Sequence, residues 1–294
     1  MFCKMSKIMS QQKSVLVTGA SSGIGLATAE YLAVQGFHVY AGARDMRALG
    51  ALSKNSNITP VQLDVTDRED IAEVKRIIEG KGTGLFGLVN NAGITKAGAL
   101  MDVSVEDMRA QFEVNLFGVH QITRALFPFI LQVKGRIVMM SSDSGFFATP
   151  FVGPYCSSKF ALEGYADSLR REITPYGVKV VLIEPGRIVT AIWDKGEKSI
   201  ADAQHHSMFW KEAKALGEYS IRKGKTTGLP PIAVAGIVHQ ALTLEKPKLR
   251  YIVAKNSFEY RLMKIFPAWY VDRLVLKKVR EVTRLAEKNT QSSK

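Results

Sequence analysis

The chain has 294 residues, of which 46% are hydrophobic and 23% charged, proportions typical of a globular protein with a large core. Cys3 and Cys156 are its two cysteines, which argues against a disulfide framework and favours a reducing, cytoplasmic compartment. Residues 1–13 are polar and basic and hold too few apolar side chains for a signal peptide or a membrane span, so we expect a disordered tail.

The first predicted element is a short apolar, β-branched strand at 14–18, followed by a glycine-rich turn and a helix at 24–36. Glycines in such a turn let the backbone approach a pyrophosphate, whose charge is met by unpaired amides and the positive end of the helix dipole. The alternative is a flexible loop. The predicted cofactor contacts here are Gly19, Ser21, Ser22, Gly23, Ile24 and Gly25.

The end of the second predicted strand, at 38–43, bears on the choice of cofactor. An acidic side chain at this place would bond a ribose hydroxyl, whereas a cation would pair with a 2′-phosphate. Arg44 offers a planar, permanently charged fork suited to phosphate. Asp45 could take the ribose instead, and both residues could be a solvated surface pair. The sequence therefore favours NADP(H), with NAD(H) as the alternative.

Strand and helix patterns alternate through the rest of the chain without a linker. Further strands are predicted near 59–64, 87–90, 136–141, 179–184 and 250–254, and further helices near 67–79, 104–131, 155–175 and 231–244. Thr66 with Glu69, and Ser104 with Asp107, are spaced as capping boxes. The pattern predicts an α/β fold: one Rossmann-type doubly wound domain over 14–256, with a parallel sheet of roughly seven strands flanked by helices and a substrate lid at about 187–229.

A phenol, an amine and a hydroxyl come together around the start of the helix predicted at 155–175. Tyr155 and Lys159 lie one turn apart on one helix face, so the ammonium can lie beside the phenol and lower its pKa. Ser142 precedes Tyr155 by thirteen residues. These groups suit carbonyl reduction with tyrosine as the proton donor and acceptor. A YxxxK pattern alone is often only a helix surface.

In their order along the chain these motifs resemble those of the short-chain dehydrogenase/reductases. The likeness covers roughly residues 13–255 and is carried by Thr18 to Gly25, Asn90-Asn91-Ala92-Gly93, Asn115, Ser142, Tyr155, Lys159 and Pro185-Gly186. Two segments resemble the branch that includes 17β-hydroxysteroid and retinol dehydrogenases. They are Tyr155-Cys156-Ser157-Ser158-Lys159-Phe160-Ala161-Leu162-Glu163-Gly164 and Tyr176-Gly177-Val178-Lys179-Val180.

The resemblance implies roles for residues outside the glycine turn. It puts Asp64 and Val65 at the adenine, and Tyr155 and Lys159 at the nicotinamide ribose. Asn115 is expected to kink its helix and hold a water that links Lys159 to solvent. The remaining implied cofactor contacts are Asn91, Ala92 and Gly93 at the adenosine ribose, and Pro185, Gly186 and Thr190 at the nicotinamide carboxamide.

Apolar side chains predominate where the substrate is expected. Phe147 and Phe151 lie between Ser142 and Tyr155, and Trp193 lies in the predicted lid. They suit a lipophilic carbonyl compound such as a steroid or retinoid, although they could equally pack the lid onto the sheet. Adjacent histidines, as in His205-His206, point in different directions on a helix, and no further ligand cluster is evident. We therefore expect no metal site.

The C-terminal part carries most of the charge. Residues 246–294 hold thirteen lysines and arginines against four acids, a net +9 of the formal +13. Residues 257–294 are predicted to be a basic amphipathic helical extension, with an apolar stripe of Val271, Leu274, Val275, Val282 and Leu285 and a basic stripe of Arg273, Lys277, Arg280 and Arg284. With Trp269 and Tyr270 this helix could lie on an anionic membrane, cover the pocket or pair with another subunit. No specific nucleic acid is expected.

The sequence thus predicts an NADP(H)-dependent oxidoreductase that interconverts a lipophilic ketone or aldehyde and its alcohol. One alternative is a 3-oxoacyl thioester reductase, whose carrier the basic tail could receive. Another is a non-catalytic NADP(H)-binding sensor. Because Ser142, Tyr155 and Lys159 are all present, the enzyme is favoured. A homo-oligomer, dimer or tetramer, is expected through the helix after Tyr155, although the apolar stripe of that helix could equally be ordinary core.

Overall fold

The computed structural model describes residues 12–50, 52–201 and 207–292. Most of the predicted N-terminal tail, with Cys3, and the pair His205-His206 lie outside the described residues. Seven strands form one parallel sheet: β1 (Ser14–Thr18), β2 (His38–Ala43), β3 (Ile58–Gln62), β4 (Gly87–Asn90), β5 (Arg136–Met140), β6 (Lys179–Pro185) and β7 (Arg250–Val253). The seven predicted strands are confirmed to within a few residues.

The strand order β3-β2-β1-β4-β5-β6-β7 reverses direction between β1 and β4. In doubly wound sheets ligands bind beyond the carboxyl ends of the strands at this reversal point. Every residue of β1 and β5 is buried, as expected of central strands covered on both faces. The topology therefore places the glycine turn after β1 and the residues after β4 and β5 at one edge of the sheet.

Helices cover both faces of the sheet, and the predicted doubly wound α/β fold is confirmed. They are α1 (Gly23–Val34), α2 (Arg68–Lys81), α3 (Val105–Phe112), α4 (Val119–Gln132), α5 (Gly153–Ile173), α6 (Ile192–Ala201), α7 (Trp210–Thr227), α8 (Pro231–Thr243), α9 (Ser257–Met263) and α10 (Ala268–Ser292). One apolar core joins α1 and α8 to the sheet, and a second lies between the other face and α2, α4 and α5.

One of the two predicted helix caps is wrong. The Ser104 hydroxyl accepts a hydrogen bond from the Asp107 amide at the start of α3, as predicted. At α2 the cap is Asp67, whose carboxylate accepts from the amides of Glu69 and Asp70. The Thr66 hydroxyl donates instead to Asp64. A carboxylate one residue later displaces the threonine because its negative charge also favours the helix N-terminus.

The helix predicted at 104–131 is divided by a π-helical turn, Glu113–Gly118, between α3 and α4. By length and composition the stretch Val105–Gln132 could cross a membrane. Its residues Ile122, Leu126 and Ile130 are fully buried in the core of this fold. The apolar character of this stretch is therefore used to pack a core helix.

The C-terminal extension consists of α9 and α10. Val271, Val275 and Val282 of the predicted apolar stripe are at least partly buried, whereas Leu274 and Leu285 are exposed. The face that α10 turns toward the protein is therefore rotated relative to the predicted stripe, because Val279 and Thr283 are also at least partly buried. Lys278 lies over the Tyr219 ring of α7, 4.8 Å from its centroid, and so connects α10 to α7.

Candidate active site

The glycine turn between β1 and α1 has no room for side chains. Gly19 and Gly23 have φ values of 67° and 58°, a conformation that favours glycine. A Cβ on Gly25 would stand 2.2 Å from the Gly19 carbonyl oxygen and 2.5 Å from Asn91 Nδ2. The sequence therefore needs glycine here to fold the turn tightly onto the end of β4.

Asn91 holds this turn from the neighbouring strand. Its Nδ2 donates to the carbonyl oxygens of Thr18, at 2.9 Å, and Gly19, at 3.3 Å. The Thr18 hydroxyl in return accepts from the amides of Asn91 and Ala92 at 3.0 and 2.9 Å. The predicted cofactor residues on β1 and β4 are thus brought together. Gly93 extends this packing to Asn115, since a Cβ placed on Gly93 would stand 3.3 Å from Asn115 Oδ1.

The N-terminus of α1 fits an anionic group. Ser22 is the N-cap but makes no side-chain hydrogen bond to the helix, and the first turn carries no acidic residue. Ser21 is half-buried and Ser22 exposed, whereas Ile24 packs against the core. First-turn amides and the helix dipole therefore remain available to a phosphate, and the space above Gly19, Gly23 and Gly25 is a cradle that side chains would fill.

Arg44 and Asp45 have different environments after β2. Asp45 accepts from the Arg47 backbone amide at 2.9 Å and from its Nε and Nη2 at 3.0 Å each. These bonds hold the pKa of its carboxyl below the usual range. Arg44 is exposed and makes no ion pair with any residue in the described ranges. Asp45 is thus committed to Arg47, while the Arg44 guanidinium is available to a phosphate.

Asp64 and Val65 lie just beyond β3, which ends at Gln62, slightly earlier than predicted. Asp64 Oδ1 accepts from the amide and hydroxyl of Thr66 at 2.9 and 2.7 Å. The Asp64 amide donates to Asp70 Oδ2 at 2.7 Å. Val65 is buried against Gly118, where an added Cβ would stand 2.7 Å from Val65 Cγ2. These bonds fix the backbone that follows the strand.

Asn115 lies in the π-helical turn and is 1% exposed. Its Oδ1 accepts from the Ile94 amide at 2.9 Å, and its Nδ2 donates to the Ile94 carbonyl and the Ser158 hydroxyl at 3.1 Å each. Isolated π turns often occur at functional sites. The helix distortion expected at Asn115 is therefore present, and its amide joins the loop after β4 to α5.

Ser142 and Tyr155 meet at the carboxyl end of β5. The Ser142 hydroxyl donates to Asp143 Oδ1 at 2.9 Å and lies 3.5 Å from the Pro185 carbonyl oxygen. Burial raises the pKa of Tyr155 to about 12, and a hydrogen bond with Ser142 opposes part of that rise. The two hydroxyls are consequently close enough to hold one oxygen atom of a substrate between them.

Lys159 is buried beside them. Its Nζ lies 5.6 Å from the centroid of the Tyr155 ring and donates to the Met140 carbonyl oxygen at 2.7 Å. Burial lowers the pKa of Lys159 to about 8, while the charge of Glu163 raises it in part. On balance the Tyr155 pKa is raised, because burial of the phenol dominates and Asp143 adds to the rise. The lowering of this pKa by Lys159 stays a prediction.

The turn after β6 lies beside the glycine turn. A Cβ on Gly23 would stand 3.1 Å from Thr190 Cγ2, so Thr190 lies close to the N-terminus of α1. Pro185 ends β6, and the Gly186 amide donates to the Val253 carbonyl at 3.1 Å. The residues expected at the two ends of a dinucleotide are therefore positioned along one edge of the sheet.

The three predicted substrate residues are dispersed around this edge. Phe147 and Phe151 are half-buried, and Phe151 has a φ of 66°, a strained conformation for a bulky residue. The Trp193 Nε1 donates to the Ile188 carbonyl at 2.7 Å, and its ring lies against Gly224 of α7. Trp193 thus packs α6 against α7.

Sequence reasoning missed several polar residues around the site. Tyr260 of α9 interacts with Asp143, and Glu163 influences Lys159 from the next turn of α5. Gln111 is fully buried and bonds the backbone of Ile94 and Lys96. Asp143 directly follows Ser142 in the sequence, and this position could have indicated that its carboxyl belongs to the site. Within the described ranges, no group of three or more histidine, cysteine, aspartate or glutamate side chains is arranged to hold a metal.

Comparison with known proteins supports one family. The profile of the family described as short chain dehydrogenase matches residues 13–200. The NADPH-dependent 3-dehydrocapnine reductase of Ornithobacterium rhinotracheale is 35% identical over 92% of this chain and 98% of its own. The mitochondrial D-beta-hydroxybutyrate dehydrogenase of Bos taurus is 32% identical over 90% of this chain and 84% of its own.

A solved structure has the same fold. A short-chain dehydrogenase from Streptomyces avermitilis is 28% identical and aligns with a TM-score of 0.76, covering 94% of this chain and 99% of its own. The names of the two relatives show that they act on different substrates. The comparison therefore indicates the class of reaction, but it does not identify the substrate of this chain.

Proposed function

This chain belongs to the short-chain dehydrogenase family of oxidoreductases, and from that premise we propose that it reduces a lipophilic ketone or aldehyde with NADPH. The observation that carries the proposal is the meeting of Ser142, Tyr155 and Lys159 at the same sheet edge as the glycine turn. A named relative that depends on NADPH supports the cofactor, with NADH as the alternative.

The cofactor would be held by the backbone cradle after β1, by Asn91 to Gly93 and by the turn from Pro185 to Thr190. We assign its 2′-phosphate to Arg44, which is exposed and permanently charged. Asp64 and Val65 would face the adenine. When bound, the nicotinamide supplies or accepts the hydride at the carbonyl carbon.

In the proposed reaction Ser142 holds the carbonyl oxygen and Tyr155 gives it a proton. Because the Tyr155 pKa is raised to about 12, the phenol holds its proton at neutral pH, which is the protonation state that reduction needs. Lys159 supplies positive charge beside the phenol and bonds the nicotinamide ribose. We propose that Asn115, through Ile94 and Ser158, keeps this region open to a water that returns the proton from solvent.

Apolar surface near the site supports a lipophilic substrate. The Ser207 hydroxyl donates to Asp102 at 2.5 Å and so joins the segment of the predicted lid before α7 to the loop before α3. Their neighbours Met208 and Met101 are 85% and 80% exposed. Exposed apolar side chains that border a site are typical of surfaces that bind apolar ligands. We propose that the substrate is a steroid- or retinoid-like carbonyl compound. Phe147 and Phe151 would line its pocket, and Trp193 would shape the lid.

A substrate panel tests the proposal. Purified protein is mixed with NADPH and with steroid ketones, retinal and acetoacetyl thioesters, and NADPH absorbance is followed. Faster oxidation with the first two groups supports it, whereas a preference for the thioesters supports the alternative 3-oxoacyl reductase. If no carbonyl compound and no corresponding alcohol reacts with either cofactor, the chain is a nucleotide-binding sensor and the proposal is rejected.

We also propose that the chain forms a homo-oligomer through α4 and α5. His120 and Tyr165 join these helices at 3.2 Å, and the neighbouring side chains Phe117 and Phe160 are 50% and 46% exposed. Two exposed phenylalanines, one in the π-helical turn before α4 and one on α5, suit an interface that a second copy would bury. Light scattering of the wild type and of Phe160→Glu tests this, because an unchanged mass would exclude Phe160 from an interface.

A contact of α10 with an anionic membrane completes the proposal. The outer face of the helix carries Trp269, which is 67% exposed, and Leu276, which is 52% exposed. Beside them lie the exposed basic residues Arg273, Lys277, Arg280 and Arg284. Aromatic and aliphatic side chains among basic residues suit the headgroup region of an anionic bilayer, which would also hold a lipophilic substrate.

A further inference from the structure

The C-terminal extension reaches the candidate active site through Tyr260 of α9. Its ring packs edge-on against Phe146, with centroids 6.5 Å apart and planes at 88°. Its hydroxyl lies 3.3 Å from where a Cβ on Gly186 would stand. Tyr260 therefore lies between the loop that carries Ser142 and the turn assigned to the nicotinamide.

Asp143 connects Tyr260 to Ser142. The Ser142 hydroxyl donates to Asp143 Oδ1 at 2.9 Å, and the Ser144 amide donates to the Ser142 oxygen at 3.2 Å. The Tyr260 hydroxyl interacts with the same carboxyl. Burial raises the pKa of both groups, and their contact adds to the rise at Tyr260 and opposes it at Asp143. These contacts connect α9 to the Ser142 hydroxyl through Asp143.

A second contact holds α9 in place. Lys264 Nζ lies 2.9 Å from each carboxylate oxygen of Glu184, a fully buried residue directly before Pro185. The same ammonium lies over the Phe146 ring, 4.0 Å from its centroid. Arg250 Nε also lies 3.4 Å from Glu184 Oε1, so two cations pair with this buried carboxylate. The Lys264 contact is the one that holds the end of α9 against the site.

We propose that Tyr260 is a positioning residue of the active site, which fixes the Asp143 carboxyl and through it the direction of the Ser142 hydroxyl toward the substrate. The inference rests on the proposed function of Ser142. It assigns to the C-terminal extension a part in catalysis that does not depend on membrane contact. It also explains why a tyrosine hydroxyl and a carboxyl share a half-buried space beside the nicotinamide turn.

The electrostatic surroundings of Asp143 give the proposal a pH signature. Tyr155 and Cys156 face it from α5, Arg187 from the turn after β6, and Tyr260 from α9. Burial raises the Asp143 pKa, and the hydrogen bonds and Arg187 oppose the rise. Loss of the Tyr260 donor should raise this pKa further. Activity that needs the carboxylate is then lost at a higher pH as the solution is made acidic.

Tyr260→Phe tests the inference, because it keeps the ring against Phe146 and removes only the donor. With the best substrate of the panel we expect kcat to fall roughly tenfold while the Kd for NADPH stays unchanged. The acid limb of the kcat profile should move to higher pH. Tyr251→Phe in β7 is the matched control: the Tyr251 hydroxyl accepts from the Lys248 amide and is not among the groups that shift the Asp143 pKa, so the profile should stay in place.

The outcomes separate this inference from the proposed function. Wild-type kcat and an unmoved acid limb in Tyr260→Phe would overturn it. NMR titration of isotope-labelled aspartate, with Asp143 assigned through Asp143→Asn, supplies a readout without turnover. A higher Asp143 pKa in Tyr260→Phe supports the contact, and equal values overturn it. A wild type that reduces no carbonyl compound counts against the proposed function, and the titration then still decides on Tyr260.

Discussion

Lys159 and Tyr155 lie together at the start of α5, with the Lys159 Nζ atom 5.6 Å from the centroid of the Tyr155 ring. Lys159 is buried and Tyr155 is partly buried. The loss of solvation shifts their pKa values in opposite directions: it lowers the Lys159 pKa to about 8 and raises the Tyr155 pKa to about 12. The pair therefore stays as ammonium and neutral phenol below about pH 8. This state has the proton that carbonyl reduction consumes.

The alkaline limb of kcat/KM should therefore report Lys159. Activity is full while the ammonium is charged and declines as the pH rises through about 8. Glu163 raises the Lys159 pKa, so Glu163→Gln should move this limb to lower pH. Asp167→Asn is the control, because Asp167 also pairs with Arg250 but is not among the groups that shift Lys159. Equal limbs in both variants would contradict the assignment.

Tyr155→Phe should reduce kcat by about 10²–10⁴, the usual contribution of general acid catalysis. The variant removes one oxygen and keeps the ring beside Lys159, so NADPH binding should change little. Cofactor fluorescence and single-turnover absorbance measure the two effects separately. Near-normal turnover with intact binding would show that another group donates the proton.

Arg44→Ala should lower kcat/KM for NADPH by roughly 10- to 100-fold, the worth of a charge-assisted hydrogen bond, and leave that for NADH nearly unchanged. Arg47→Ala is the matched control, because Arg47 is already bonded to Asp45. Initial rates with both cofactors measure the ratio. If Arg47→Ala alone changed it, Arg47 would be the phosphate ligand and the assignment of Arg44 would be wrong.

Most of the fold follows from local patterns in the sequence. The apolar runs of β1 to β7, separated by helical stretches, predict a parallel sheet because both faces of such strands are buried. Glycine spacing also identifies the turn at Gly25, where the structure leaves no room for a Cβ. The choice between Thr66 and Asp67 as a cap could not be made, since both residue types can occupy that position.

Contacts between residues far apart in the chain could not be predicted. Nothing in the local sequence of Tyr260 indicates that its ring meets Phe146 or that Lys264 meets Glu184. The inward face of α10 could not be predicted for the same reason: amphipathic spacing gives the apolar stripe, but the contacts with the rest of the protein decide which positions are covered. The pKa of Tyr155 likewise depends on burial in the assembled fold.

Gly25→Ala should abolish tight cofactor binding and destabilise the protein by about 1–3 kcal/mol, because the new methyl group meets backbone atoms that cannot rotate away. Gly80→Ala on α2 is the control: nothing lies within 4 Å of its Cβ position. That change should be neutral or stabilise by about 0.5–1 kcal/mol, since alanine is the better helix former. Chemical denaturation and NADPH titration measure both variants.

The membrane contact of α10 is best tested by charge reversal rather than by truncation. A chain that ends before α9 would lose Tyr260 and Lys264, which contact Asp143 and Glu184, and its activity would change for reasons unrelated to lipid. Arg273→Glu with Lys277→Glu alters only exposed residues on the outer face of the helix. Arg68→Glu with Lys75→Glu on α2 changes the net charge equally and serves as the control.

We expect the α10 double variant to bind phosphatidylserine vesicles at least roughly 30-fold more weakly than the wild type, since each basic residue near an anionic surface contributes about 1 kcal/mol. The α2 variant should bind nearly as the wild type does, because α2 is not part of the face proposed to contact the membrane. Co-sedimentation at low and physiological salt measures both, and the difference should shrink as salt rises. Equal losses in the two variants would mean that net charge, and not the face of α10, governs the association.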